Sequence, residues 1–144
     1  SNGRVFLVNP NGITVGQGAV IDTAGFVASS LNISDADFLS GRMRFQALAG
    51  EPGKVVNQGT INAHSGGQIY LIAPSVENHG VITAPNGDVL LAAGKTVEVV
   101  STASPHIRVE LNAPDGGEAL NVGQVVGGRI GIYGGLVRNA GTLN

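Results

Sequence analysis

The sequence predicts an all-β fold, a right-handed parallel β-helix of about 20–21 residues per coil, and three observations predict it. Two short motifs recur at a nearly fixed spacing. β-Branched residues dominate the apolar set, with 18 Val and 10 Ile against 11 Leu, and these favour extended backbone. Within each repeat the apolar positions alternate, as in Val55, Asn57, Gly59, Ile61 and Ala63, so the local period is two.

The first motif, Val-x-Asn-x-Gly-x-(Ile/Leu), stands at Val55–Ile61, Val76–Ile82 and Val137–Leu143. The second, Gly-polar-(Val/Ile)-x-(Leu/Ile), stands at Gly3–Leu7, Gly67–Leu71, Gly87–Leu91 and Gly128–Ile132. Asn57 to Asn78 is 21 residues and Gly67 to Gly87 is 20, while the longer offsets of 41, 61 and 64 are near-multiples of these. A unit this short is one coil of a solenoid; a propeller blade needs about 40 residues, and the Leu-x-x-Leu-x-Leu frame of leucine-rich repeats is missing. At this period the chain makes about seven coils, roughly 34 Å of stack at the strand spacing.

Taken along the chain, Val5 and Leu7 open the first inward-facing strand. Asn9-Pro10-Asn11-Gly12-Ile13 follows as a corner: Pro10 fixes φ, Asn11-Gly12 is a turn pair, and Ile13 restarts a strand with Val15. Residues 34–54 carry mixed charge and break the period, which marks them as an excursion from the helix. Val5, Ile69, Val89 and Ile130 are expected in one inward column, and Leu7, Leu71, Leu91 and Ile132 in the next. Ile61, Ile82 and Leu143 share a third. Asn57, Asn78 and Asn139 sit at one register and are expected to turn the chain, their amides bonding backbone or one another along the column. Residues 104–121 form the second excursion, with Ile107–Leu111 alternating apolar and charged residues as in an exposed hairpin that returns at Val122.

Composition narrows the function. Charged residues are 12%, about half the usual share, and the formal net charge is −2, which leaves no electrostatic footprint for nucleic acid. The lack of cysteine removes disulfides, thiolate catalysis and Cys-ligated zinc together. His64, His79 and His106 share neither a column nor a ligand spacing. Asp35 and Asp37 alternate, but no third carboxylate lies one coil away to complete a calcium site, and Asp115 and Glu118 flank a Gly-Gly turn. The ten carboxylates are scattered, whereas a glycan-cleaving β-helix needs them clustered on one face. The sequence therefore predicts neither catalysis, nor a metal, nor a cofactor, nor a small-molecule substrate.

One segment is more specific. Residues 9–13, preceded by Gly3-Arg4-Val5-Phe6-Leu7-Val8, resemble the NPNGI signature of two-partner secretion exoproteins, the filamentous-haemagglutinin-like and high-molecular-weight adhesin-like proteins of Gram-negative bacteria. The resemblance continues through Ile21-Asp22-Thr23, Val27–Leu31, Asp37–Arg42, Val56–Gly59 and Val89–Gly94, and covers essentially the whole chain. It implies a secretion domain, recognised in the periplasm by periplasmic domains of a dedicated outer-membrane transporter. Through that barrel the protein reaches the medium or the cell surface, where a long β-helical fibre acts as adhesin, haemolysin or toxin carrier and meets host or bacterial receptors. Asn9, Pro10, Asn11, Gly12 and Ile13 become the secretion motif on this reading, with a folding role and a transporter contact both open. The family's amino-terminal cap and its NPNL signature are not found upstream, so residues 1–144 are expected to be a single-domain piece of a larger secretion domain.

Two other functions compete with it: a β-helical polysaccharide-processing enzyme, and the front of a contact-dependent growth-inhibition toxin. Because Leu143 continues an inward column at the last strand, end-to-end self-association is also expected.

Overall fold

Strands pair in parallel wherever the repeated motifs recur, and the pairing closes the chain into a parallel β-helix. The computed structural model describes residues 3–34, 36, 43–46, 53–94, 96–101, 107–111, 118–134 and 136–144. Asp35, Asp37, His106, Asp115, the Asp37–Arg42 stretch and the turn at residues 114–117 lie outside them.

Coil 1 runs through β1 (Arg4–Val8), β2 (Ile13–Val15) and β3 (Val20–Thr23). Coil 2 opens with β4 (Gly25–Ser29), leaves the stack for β5 (Met43–Gln46), and resumes with β6 (Val55–Asn57) and β7 (Thr60–Ala63). Coil 3 holds β8 (Gln68–Ala73), β9 (Ser75–Asn78) and the first half of β10 (Val81–Ala93). Coil 4 takes the second half of β10 and departs through β11 (Thr96–Ser101) and β12 (Ile107–Leu111). It returns with β13 (Glu118–Asn121) and the first half of β14 (Gln124–Tyr133). The second half of β14, β15 (Leu136–Asn139) and β16 (Thr142–Leu143) complete coil 5.

The described residues thus form five coils, not seven, as the five-stranded sheet β15-β13-β9-β6-β2 shows with one strand from each. The error has a simple origin. Each excursion is about one coil long, so Asp88 and Arg129, neighbours in the stack, stand 41 residues apart and mimic two periods. β13 also belongs to the stack, so the second excursion ends before Glu118, and its first strand, β11, begins at Thr96.

Register sets the columns. Val5, Phe26, Ile69, Val89 and Ile130 align, as do Leu7, Ala28, Leu71, Leu91 and Ile132. Phe26 and Ala28 are additions from a coil the repeat did not reveal. The middle members are buried, Val5, Ile130 and Ile132 are half-buried, and Leu7 in coil 1 is 43% exposed. Ile21, Ile61, Ile82, Val125 and Leu143 form the third column.

The glycine of the Asn-x-Gly corner is required by stacking. A Cβ on Gly80 would run into the carbonyl of Gly59, one on Gly123 into that of Gly80, and one on Gly141 into that of Gly123. None of these three has positive φ, so what the corner needs is space and not an unusual backbone.

A second apolar cluster lies outside the helix. Phe6, Val27, Tyr70, Ile72, Leu90 and Ala92 alternate with the inward columns and face away from them. Leu31, Phe45 and Val97, supplied by the excursions, bury them, and Phe6 and Phe45 stack at 6.1 Å. β5, β11 and β12 form a separate antiparallel sheet in the order β12-β11-β5.

Candidate recognition surface

The corner at residues 9–13 is built by its own backbone and fastened by the next coil. Asn9 Oδ1 accepts the Asn11 N–H at 3.0 Å, and the Asn9 carbonyl accepts the Gly12 N–H at 3.0 Å, a side-chain turn nested in a backbone turn. Gly53 N–H donates to the Pro10 carbonyl at 2.8 Å and Ile13 N–H to the Lys54 carbonyl at 3.0 Å. Gly12 has a φ of 103°, which favours glycine, and a Cβ there would stand 2.8 Å from the Lys54 carbonyl oxygen. Ile13 packs on the core, while Asn9, Pro10 and Asn11 are exposed. The five residues therefore divide into an anchor, Gly12 and Ile13, and a solvent-facing edge whose backbone is already ordered.

Asn57, Asn78 and Asn139 are placed otherwise. Asn57 Nδ2 donates to Asn78 Oδ1, Asn78 Nδ2 to Asn121 Oδ1, and Asn121 Nδ2 to Asn139 Oδ1, each at 2.9 Å. The Oδ1 atoms of Asn57, Asn78 and Asn139 also accept the N–H of the glycine two residues on, at 3.1–3.3 Å. Asn57, Asn78 and Asn121 are fully buried. Inside the protein such amides must be satisfied, and here the column satisfies them. Asn121 is the member that sequence reading missed, because Ala119 and Val125 stand where the motif has Val and Ile or Leu.

Beside the corner lies a charged group the sequence did not signal. Lys54 Nζ meets Glu77 Oε2 at 3.1 Å, and His79 Nε2 meets Glu77 Oε1 at 2.8 Å. The hydrogen bond from His79, helped by Lys54, holds the Glu77 carboxyl below its ordinary value of 4.5 against its partial burial. Gln17, Gln58 and His79 line an open cleft next to it. Glu77 and His79 stand two residues apart in coil 3, whereas Lys54 comes from coil 2 and reaches them only through the register Val56–Glu77, so no linear pattern announces the three together.

On the outer face of the eight-stranded sheet, Arg129 grips both carboxylate oxygens of Asp88, at 2.6 and 3.0 Å. His64 stands 3.8 Å from Asp22. Among the described residues no group of three or more His, Asp or Glu side chains is placed to hold a metal ion. No helix among them is long and apolar enough to cross a membrane.

The comparisons with known proteins agree with this geometry. A heme/hemopexin-binding protein of Haemophilus influenzae is 34% identical over an alignment of 122 residues, and the match covers 78% of this chain and 13% of that protein. The crystal structure of the HMW1 secretion domain, also from Haemophilus influenzae, superposes with a TM-score of 0.85 at 35% identity. That match covers 95% of this chain and 37% of the solved one, so the chain spans a minor part of either relative. The family model described as the TPS secretion domain matches residues 1–143, and the chain belongs to that family, the secretion domain of two-partner-secretion exoproteins.

Proposed function

We propose that this domain guides export of a larger exoprotein through a dedicated outer-membrane transporter, and that the corner at residues 9–13 is what the transporter's periplasmic domains touch. The observation that carries this reading is the division of the corner. Asn9, Pro10 and Asn11 are exposed on a backbone pinned to Gly53 and Lys54, so a partner meets an ordered edge and binding costs little conformational entropy. The flanking Lys54–Glu77–His79 group offers both signs of charge beside it. On this reading the domain passes through the periplasm to the cell surface or the medium. Its coil stack then seeds the β-helical fibre of an adhesin or haemagglutinin, whose receptors are met by other parts of the protein. Cofactor, nucleic acid and small-molecule substrate have no part in it.

The test is export of the parent protein by its transporter. Asn11→Ala keeps the Asn11 N–H that Asn9 accepts, and it is expected to reduce secretion several-fold while the isolated domain melts within a few degrees of the unaltered one. Asn9→Ala removes the Oδ1 acceptor as well and should lower both. Full export of both variants ends the proposal.

A further inference from the structure

The sheet β12-β11-β5 is held to the molecule unlike any other part. Among the described residues no backbone ladder joins it to either stacked sheet; its strands pair with one another, and the Asn32–Gln46 bridge adds one more pair within the same excursion. Every coil strand, by contrast, is bonded in parallel to a neighbouring coil. What fixes the small sheet on the helix is apolar contact, with Phe45 and Val97 seated on Phe6, Tyr70, Ile72 and Leu90.

Its two arms come from different coils. β5 leaves from coil 2, whereas β11 and β12 leave from coil 4, so among the described strands the partner of β5 is β11, which arrives only with the chain of coil 4. β11 is the middle strand, and losing it would take from β5 and β12 the one described strand that each pairs with. Native proteins open in contiguous cooperative units, and a unit bounded by no ladder bond can leave without unzipping its neighbours. We infer that β5, β11 and β12 form a strap that closes over an already folded coil stack and opens again as one unit. The open form keeps the coils intact and uncovers the apolar strip running from Phe6 through Tyr70 to Leu90.

Residue-resolved amide hydrogen exchange on the whole chain, at denaturant concentrations below the unfolding midpoint, tests this. The amides of β5, β11 and β12 are expected to share one opening, at least ten-fold more frequent than that of β8 and β10. Phe45→Ala should raise the strap opening a further ten-fold or more. Ile69→Val, in the coil core away from the strap, should raise the opening of β8 and β10 several-fold and leave the strap within two-fold. If the strap amides follow the coil amides in Ile69→Val, or if the three strands exchange at unrelated rates, the inference is overturned. Should Phe45→Ala fail to fold, the unaltered chain and Ile69→Val decide it alone.

Discussion

Asn78 donates its side-chain amide to Oδ1 of Asn121 at 2.9 Å, although 43 residues of chain separate the two. The neighbouring rungs, Asn57 to Asn78 and Asn121 to Asn139, span 21 and 18 residues with the same 2.9 Å geometry. The column is indifferent to what the chain does between coils, provided it comes back in register. An excursion can therefore be inserted at one corner without disturbing the stack.

Asn78 is expected to be the costly rung. Asn78→Ala takes their partner from the Gly80 N–H and from Asn121 Oδ1 and leaves Asn57 Nδ2 only the Gly59 and Val81 carbonyls, and each buried group left unsatisfied costs about 1–3 kcal/mol. Asn139 is exposed, so Asn139→Ala should cost less than about 1 kcal/mol, because water replaces the acceptor of the Gly141 N–H and Asn121 Nδ2 keeps the Thr142 carbonyl. Urea unfolding of the two variants compares them directly. Equal losses would remove the energetic role assigned to the buried column.

The glycines divide by cause. Gly80→Ala drives a methyl into the Gly59 carbonyl, and overpacking of this kind costs about 1–3 kcal/mol. Gly16 has nothing within 4 Å of its virtual Cβ and no positive φ, so Gly16→Ala should be neutral or stabilise by about 0.4–1 kcal/mol. Thermal melts of both proteins check the order, and a harmless Gly80→Ala would mean that the coils can move apart.

Burial pushes the Tyr70 phenol up to about 12 from 10.0, with Asp88 adding to the shift and Arg129 and Arg4 opposing it. The folded state thus favours the neutral phenol. The stability this gives is complete below pH 10 and is lost as pH rises through about 12. Stability measured across that window should fall less steeply in Tyr70→Phe. Asp88→Asn should lower the ionisation midpoint seen in the tyrosinate absorbance yet keep it above 10.0, since burial is the larger cause. A midpoint raised by Asp88→Asn would contradict the sign of the Asp88 contribution.

Much of the stack is written in the sequence because stacking repeats its demands. The carbonyl beneath Gly87 belongs to Gly67 and the one beneath Gly80 to Gly59, so the same residue type returns at each turn. Coil 2 escapes the pattern where Ala24 stands in for the corner glycine and Gly25 takes the polar place held by Arg4, Gln68, Asp88 and Arg129 elsewhere. With its marker gone, Phe26 and Ala28 could not be assigned to a column. The coil count fails for a different reason: a spacing rule sees only distance along the chain, and an excursion of about one period is invisible to it. The corner at residues 9–13 is legible as a turn, since Pro10 and Asn11-Gly12 carry local rules. Its attachment to Gly53 and Lys54 is not, because that depends on where the first excursion ends.

The asparagine column runs one way. At each rung the earlier coil gives the hydrogen and the later coil gives the oxygen, from Asn57 through Asn78 and Asn121 to Asn139. The side-chain dipoles accordingly line up head to tail along the axis. A stack assembled this way has a front and a back that differ in chemistry: one offers amide hydrogen and seeks carbonyl, the other the reverse. A coil laid down upside down would set hydrogen against hydrogen and oxygen against oxygen at the buried corner. The arrow of the chain, which backbone pairing alone records in the strands, is thereby written a second time in side chains, and a fibre grown on such a column has its direction fixed one amide at a time.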